Sequence, residues 1–192
     1  MPPKFLYTRE EILRAALEVI REKGASGLTA RALAARLGCS VKPIFGLFRN
    51  MEEVRQETIR AAGALYRERA ARETAEHRYP PYKAAGMAYI RFAREERELF
   101  KLLYMRDRTG EDVQEDENTE ELLALIRQST GLDRETARLF HLEMWAYVHG
   151  IAAMIATGYL DWDMALISRS LTDCYTGLKT RFSGENGDGQ SR

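Results

Sequence analysis

The chain has 192 residues, 45% of them apolar and 30% charged, with 29 basic residues balanced by 29 acidic ones. That composition excludes a disordered or fibrous protein, and the uninterrupted apolar runs fall well short of the ~18–20 residues of a membrane span. Zero net charge excludes a uniformly basic polypeptide, but the charge is unevenly spread. Residues 1–55 hold 10 Lys and Arg against 6 Asp and Glu, while the remainder holds 19 against 23.

The opening M-P-P-K-F-L-Y-T-R has no apolar stretch leading to a small-residue cleavage site, so a cytoplasmic protein is expected, with Cys39 and Cys174 as reduced thiols. Thr8 and Glu11 form a capping box, and Ile12, Ala15, Ala16, Val19 and Ile20 repeat at helical spacing until Lys23-Gly24. Thr29 caps a short Ala-rich helix over residues 30–37, and Gly38-Cys39-Ser40 makes a turn. Ser40 is the expected cap of a third helix that tolerates Pro43 in its first turn. Asn50 and Glu53 open a long helix reaching the seventies. Pro80-Pro81 interrupts the chain and starts a helix to about residue 94, followed by a shorter one over residues 96–105. Residues 107–121 are acidic and read as a loop or frayed helix start. Helices are expected over residues 120–128, from the Asp133 cap to about residue 157, and over residues 162–182, before a disordered tail at 183–192. No segment shows the period of a strand.

Residues 29–54, T-A-R-A-L-A-A-R-L-G-C-S-V-K-P-I-F-G-L-F-R-N-M-E-E-V, parse as two short helices joined by a tight turn. Such a pair suits a helix-turn-helix, whose second helix enters the major groove of DNA; a helical hairpin with no such role has the same spacing. Ala34, Gly38, Ile44 and Phe48 supply the small crossing residue, the turn glycine and the inner anchors. Ser40, Val41, Lys42, Pro43, Phe45 and Gly46 would then face the groove, with Thr29 and Arg31 at the start of the preceding helix suited to a phosphate.

The order L-T-x-R-x-L-A-x-x-L-G-x-S-x-x-x-I-F-x-x-F-x-N-x-E-E over residues 28–53 resembles the DNA-binding domain of tetracycline-repressor-type (TetR) regulators. The resemblance implies a homodimer on a near-palindromic double-stranded operator, and an all-α C-terminal domain that dimerises and binds a small effector. Where the family commonly has Tyr this chain has Phe45, and where it commonly has Lys this chain has Met51; both family residues often touch phosphates. Gly46 replaces a position that is often larger and polar.

Trp145 and His149-Gly150 resemble the Trp-His-Gly signature of one class of TetR C-terminal domain. His141, Trp145 and His149 lie four residues apart, near one helical face. Either His149 and Trp145 present polar handles to a ligand, with Tyr89, Phe92, Phe100, Leu103, Tyr104, Phe140 and Met144 as further lining candidates, or these residues are core. Met164, Ile167, Leu171, Cys174 and Leu178 form a 3-4-3-4 seam on the last helix. With Leu142, Ala146 and Ala153 of the preceding helix they suit either a dimeric four-helix bundle or packing within one chain. No metal cluster, cofactor motif or nucleophile elbow is present, so no enzyme is expected.

The expectation is therefore an all-α chain. A three-helix helix-turn-helix DNA-binding domain occupies residues 1–50. A larger helical ligand-binding and dimerisation domain occupies residues 51–182. Its expected function is that of a ligand-responsive repressor, with a constitutive or protein-partner-controlled regulator of the same fold as the alternative.

Overall fold

Thr8 begins the first helix as its capping box predicts. The Glu11 N–H donates to Thr8 Oγ1 at 3.2 Å, and the Thr8 N–H donates to Glu11 Oε2 at 2.8 Å. The computed structural model describes residues 7–107 and 119–188. It contains α1 (Arg9–Lys23), α2 (Ala30–Leu37), α3 (Lys42–Leu47), α4 (Met51–Ala75), α5 (Pro81–Glu95), α6 (Arg97–Tyr104), α7 (Thr119–Thr130), α8 (Arg134–Ala156) and α9 (Met164–Asp188), with a single 3-10 turn at Ala25–Gly27. Among the described residues there is no strand. The expected acidic loop falls mostly on residues 108–118, outside the described residues.

The chain divides into two compact units. The first comprises the described residues up to Arg69 together with Glu95–Arg106, and so holds α1 to α3, most of α4, and α6. Within it α1 packs on α2 and α6. Ile12, Ala16, Val19 and Ile20 of α1 are buried, as are Leu33, Ile44, Phe48, Val54, Leu99 and Phe100. The α1 set repeats at intervals of three and four residues, which puts it on one helical face.

The second unit comprises Ala70–Arg94 and the described residues from Asp107 onward. Here α8 packs on α7 and α9. Asp133 caps α8 by accepting from the N–H groups of Glu135 at 2.9 Å and Thr136 at 3.0 Å. By length and composition α8 would also pass as a membrane-crossing helix, which a search for uninterrupted apolar runs does not reveal. Its inward stripe Ala137, Phe140, Met144, Val148, Ile151 and Ile155 is buried in this unit instead. α9 begins at Met164, its Leu166 N–H bonded to Asp163 Oδ1 at 2.7 Å, and runs on to Asp188. The expected end of helix at residue 182 is therefore passed by six residues, and the rest of the tail lies outside the described residues.

Candidate nucleic-acid interface

Thr29 caps α2, its Oγ1 accepting the Ala32 N–H at 3.1 Å. Gly38 then ends α2 in the left-handed region, with φ 68° and ψ 30°. A Cβ there would meet no atom within 4 Å, so it is the dihedral rather than space that asks for glycine. The turn closes with the Cys39 N–H on the Ala34 carbonyl at 3.0 Å.

In α3 the sequence expectation needs one correction. Ser40 is not the cap: Val41 holds that position, already in a helical conformation, and no side chain caps the helix. The chain enters the helix one residue later than the Ser40 reading assumed, which leaves Ser40 exposed. Pro43 sits in the first turn as predicted. Ile44 and Phe48 are buried, whereas Val41 is 39% and Phe45 44% exposed. Lys42 and Gly46 are exposed beside them, Pro43 is half-buried, and Thr29 and Arg31 at the start of α2 are exposed too. Seven of the eight candidate contact residues are thus open to solvent, held there by two apolar anchors.

A residue that the sequence reading passed over holds this helix in place. Arg9 donates from Nη1 to the Leu47 carbonyl at 2.6 Å, at the end of α3, and from Nη2 to Glu53 Oε1 at 2.9 Å, in the first turn of α4. Its guanidinium carbon lies 4.2 Å from the Phe48 ring centroid. Glu53 closes the α4 cap from the other side. Its N–H donates to Asn50 Oδ1 at 2.9 Å, but its carboxylate reaches back to the Arg49 N–H at 2.7 Å, one residue beyond the position expected of a capping box. That backbone bond, followed by Arg9, holds the Glu53 carboxyl down at about 2. Tyr7 adds a further tie, donating to the Leu37 carbonyl at 2.6 Å.

The effector candidates fall in both units. Phe100, Leu103 and Tyr104 belong to the first, where Phe100 is buried and its ring lies 5.1 Å from that of Tyr104. Tyr89, Phe92, Phe140, Met144, Trp145 and His149 belong to the second. There Phe92, Phe140 and Met144 are core, Phe140 packing on Tyr175 and Phe182. Tyr89 Oη lies 2.9 Å from His149 Nδ1, and the His149 ring stacks on Trp145 with centroids 5.2 Å apart and planes 16° from parallel. Burial pushes the His149 pKa down. Trp145 corrects both sequence readings, being neither core nor enclosed: it is 48% exposed.

A second pair of the same kind, Tyr82 Oη to His141 Nδ1 at 3.0 Å, also joins α5 to α8. Burial raises the Tyr82 pKa well above the phenol's ordinary value. The sequence reading noted His141 but missed Tyr82. The available signal was spacing: Tyr82 and Tyr89 lie two helical turns apart, as do His141 and His149.

The dimer candidates divide as well. Leu142 and Ala146 are exposed on the Trp145 side of α8, and Ala153, Cys174 and Leu178 are partly covered. Ile167 and Leu171 are a correction: they are buried in their own chain. The physical reason is Gly86 of α5, which lets Leu171 come so close that a Cβ on residue 86 would lie 3.2 Å from Leu171 Cδ2. The α9 seam therefore packs inward along part of its length.

Two family models match this chain. One, described as bacterial regulatory proteins of the tetR family, matches residues 12–58, and the other, a tetracyclin repressor-like C-terminal domain, matches residues 82–174. A search of curated proteins finds no match. Among solved structures, a TetR-like transcriptional regulator from Rhodococcus sp. RHA1 aligns with a TM-score of 0.62 at 16% identity, over 99% of this chain and 100% of that one. A TetR-family member from Streptomyces coelicolor A3 aligns at 0.57 and 20% identity, over 88% and 98%. A multidrug binding protein, EbrR, complexed with imidazole aligns at 0.54 and 18% identity, over 90% and 95%. These likenesses show the fold. With one tetR model on the helix-turn-helix, another on the helical body, and more than half of the chain between them, the protein belongs to the tetR family of bacterial regulatory proteins.

Proposed function

We propose that the protein is a homodimeric, cytoplasmic repressor that leaves its operator when a small molecule binds the C-terminal domain. The observation that carries the DNA-reading part is the outward face of α3. Val41, Lys42, Phe45 and Gly46 are exposed while Ile44 and Phe48 anchor the helix beneath them. A short helix with a rigid back and an open front suits insertion into a major groove. Lys42 is the basic reader of that face, and Thr29 and Arg31 are the phosphate contacts. Phe45 and Met51 lack the hydroxyl and ammonium common at their positions in the family. Each missing phosphate contact lowers the salt dependence of binding by roughly 0.9 units of log–log slope.

Homodimer formation is supported by the outer side of α8, where Leu139, Leu142 and Trp145 are about half exposed. At Gly177 of α9 a Cβ would meet nothing within 4 Å, which leaves room for the close approach of a second helix. An effector role is supported by Tyr89 and His149, which place polar groups among apolar neighbours, His149 being part of the Trp-His-Gly resemblance. Imidazole bound to the related fold of the multidrug binding protein is in keeping with such a role. To move the dimer from mostly bound to mostly free, the effector must favour the released state by about 5 kcal/mol. One observation favours the alternative of a regulator with no small-molecule effector: Phe92, Phe140 and Met144 are already fully packed in the core.

The test is fluorescence anisotropy on DNA flanking the protein's own gene, over a salt series, with Lys42→Ala as control. Specific binding that weakens in the variant is the expected result. Equal, weak binding to random DNA, unchanged by the substitution, would refute the reading of α3.

A further inference from the structure

The six residues of α3, Lys42–Leu47, read K-P-I-F-G-L. Lys42 is the single hydrogen-bonding side chain among them, and Ser40 stands in the turn before the helix. The helix is nevertheless firmly oriented. Ile44 is fully buried and Phe48, just past its end, is nearly so, while Val41 and Phe45 are exposed. Val41 holds the N-cap in a helical conformation, with φ −70° and ψ −17°, and its carbonyl accepts the Phe45 N–H at 3.4 Å. The two apolar side chains therefore stand one turn apart on the same outward side. Among the described residues of the first unit, only Met105 joins them as a large apolar side chain left this open.

The stretch that carries the pair is cationic. From Gly38 to Met51 the chain holds Lys42 and Arg49 and no acid, and the Arg49 side chain is 88% exposed. An apolar pair on a cationic stretch suits a polyanion whose surface also carries apolar groups. The major groove of DNA meets that description. Its floor presents hydrogen-bond donors and acceptors and one apolar group, the 5-methyl of thymine. That methyl distinguishes T·A from A·T and from both orientations of G·C, so a helix can read sequence through it without a hydrogen bond. Gly46, exposed beside Phe45, has no side chain to hold the backbone away from the base edges. Four residues of helix rise ~6 Å, close to the ~6.8 Å of two base-pair steps, which lets Val41 and Phe45 each meet a methyl.

We infer that Val41 and Phe45 are specificity-determining residues that read thymine methyl groups in the operator, beside the basic Lys42. The inference rests on the DNA-reading role of α3 proposed above and holds for one copy of the chain or two. It gives Phe45 a use of its own at the position where the family's tyrosine often touches a phosphate. The operator is then one in which thymines at fixed positions count for their methyls and not only for their hydrogen bonds.

The experiment begins by selecting binding sites from random duplex DNA with the purified full-length protein. Each thymine of the selected site is then replaced singly by deoxyuridine, which keeps the base pair and removes the methyl alone. Affinity is read by anisotropy for the parent protein and for its Phe45→Ala and Val41→Ala variants, with thermal melts to confirm that each is folded. The expected result is a loss of about fourfold at each contacted thymine, the effect of burying one methyl. That loss should vanish in Phe45→Ala at one position and in Val41→Ala at another. Uracil bound as tightly as thymine throughout the selected site would overturn the inference. So would a uracil penalty of the same size in the parent and in both variants, the mark of methyls acting on duplex shape alone. Both side chains lie outside the buried core, and if one variant does not fold the other decides between these results. If the parent protein enriches no sequence at all, the DNA-reading role of α3 fails and this inference falls with it.

Discussion

Replacing Arg9 by Ala will loosen the recognition helix without touching its outward face. Three interactions are lost together. The bond to the Leu47 carbonyl is charge-assisted and partly buried, and contributes about 1 kcal/mol net. The pair with Glu53 links side chains 39% and 18% exposed, and solvent screening keeps its share small. The guanidinium over the buried Phe48 ring adds ~0.5 kcal/mol. The sum is a destabilisation of about 1.5 kcal/mol. Arg9→Lys keeps the charge but cannot serve the carbonyl and the carboxylate together, and should cost about half as much. Urea unfolding of both variants, together with a cycle against Glu53→Gln, measures these quantities. Operator affinity read by anisotropy should fall in step with the loss of stability, because the Leu47 carbonyl ends α3. A change below about 0.5 kcal/mol in Arg9→Ala, with operator binding intact, would refute the claim that Arg9 holds the recognition helix.

Two further outcomes follow from the second unit. Burial holds the His149 pKa below its ordinary 6.5, so the unfolded chain takes up a proton that the folded chain resists. The stability tied to His149 is therefore complete above about pH 6.5 and is lost as the pH falls below it. His149→Gln should flatten the dependence of urea midpoint on pH between 7.5 and 5.5; an unchanged slope would assign it to other groups. Leu142, 57% exposed in the isolated chain, occurs twice in any two-fold interface on the outer side of α8. Leu142→Glu should weaken dimerisation by at least a hundredfold, from the burial of a charge without a partner, and leave helical content intact. Light scattering that still reports a dimer at micromolar concentration would place the interface elsewhere.

Helix limits were legible in the sequence because they are set locally. Thr8, Thr29 and Asp133 cap from within three residues of the groups they satisfy, and Gly24, Gly38, Gly131 and Gly158 all take the positive φ that ends or turns a segment. The outward face of α3 was legible for the same reason, since two apolar anchors four residues apart define the side opposite. What the sequence did not disclose depends on partners far along the chain. Arg9 reads as one more surface cation until Leu47 and Glu53, 38 and 44 residues away, are brought to it. Glu96 reads as an ordinary acid among the charges of residues 94–98 until Arg21, 75 residues earlier, closes on it. The α9 seam shows how periodicity is ambiguous: it states that Ile167 and Leu171 share a face, but the absence of a side chain at Gly86 decides what that face meets. Trp145 shows the converse. Its type and spacing suggest enclosure, yet a side chain is enclosed only if some element arrives to cover it, and Trp145 is 48% exposed. A half-exposed tryptophan stacked on a histidine and flanked by exposed leucines is costly to leave in water, and this is the physical reason to expect a second copy of the chain there.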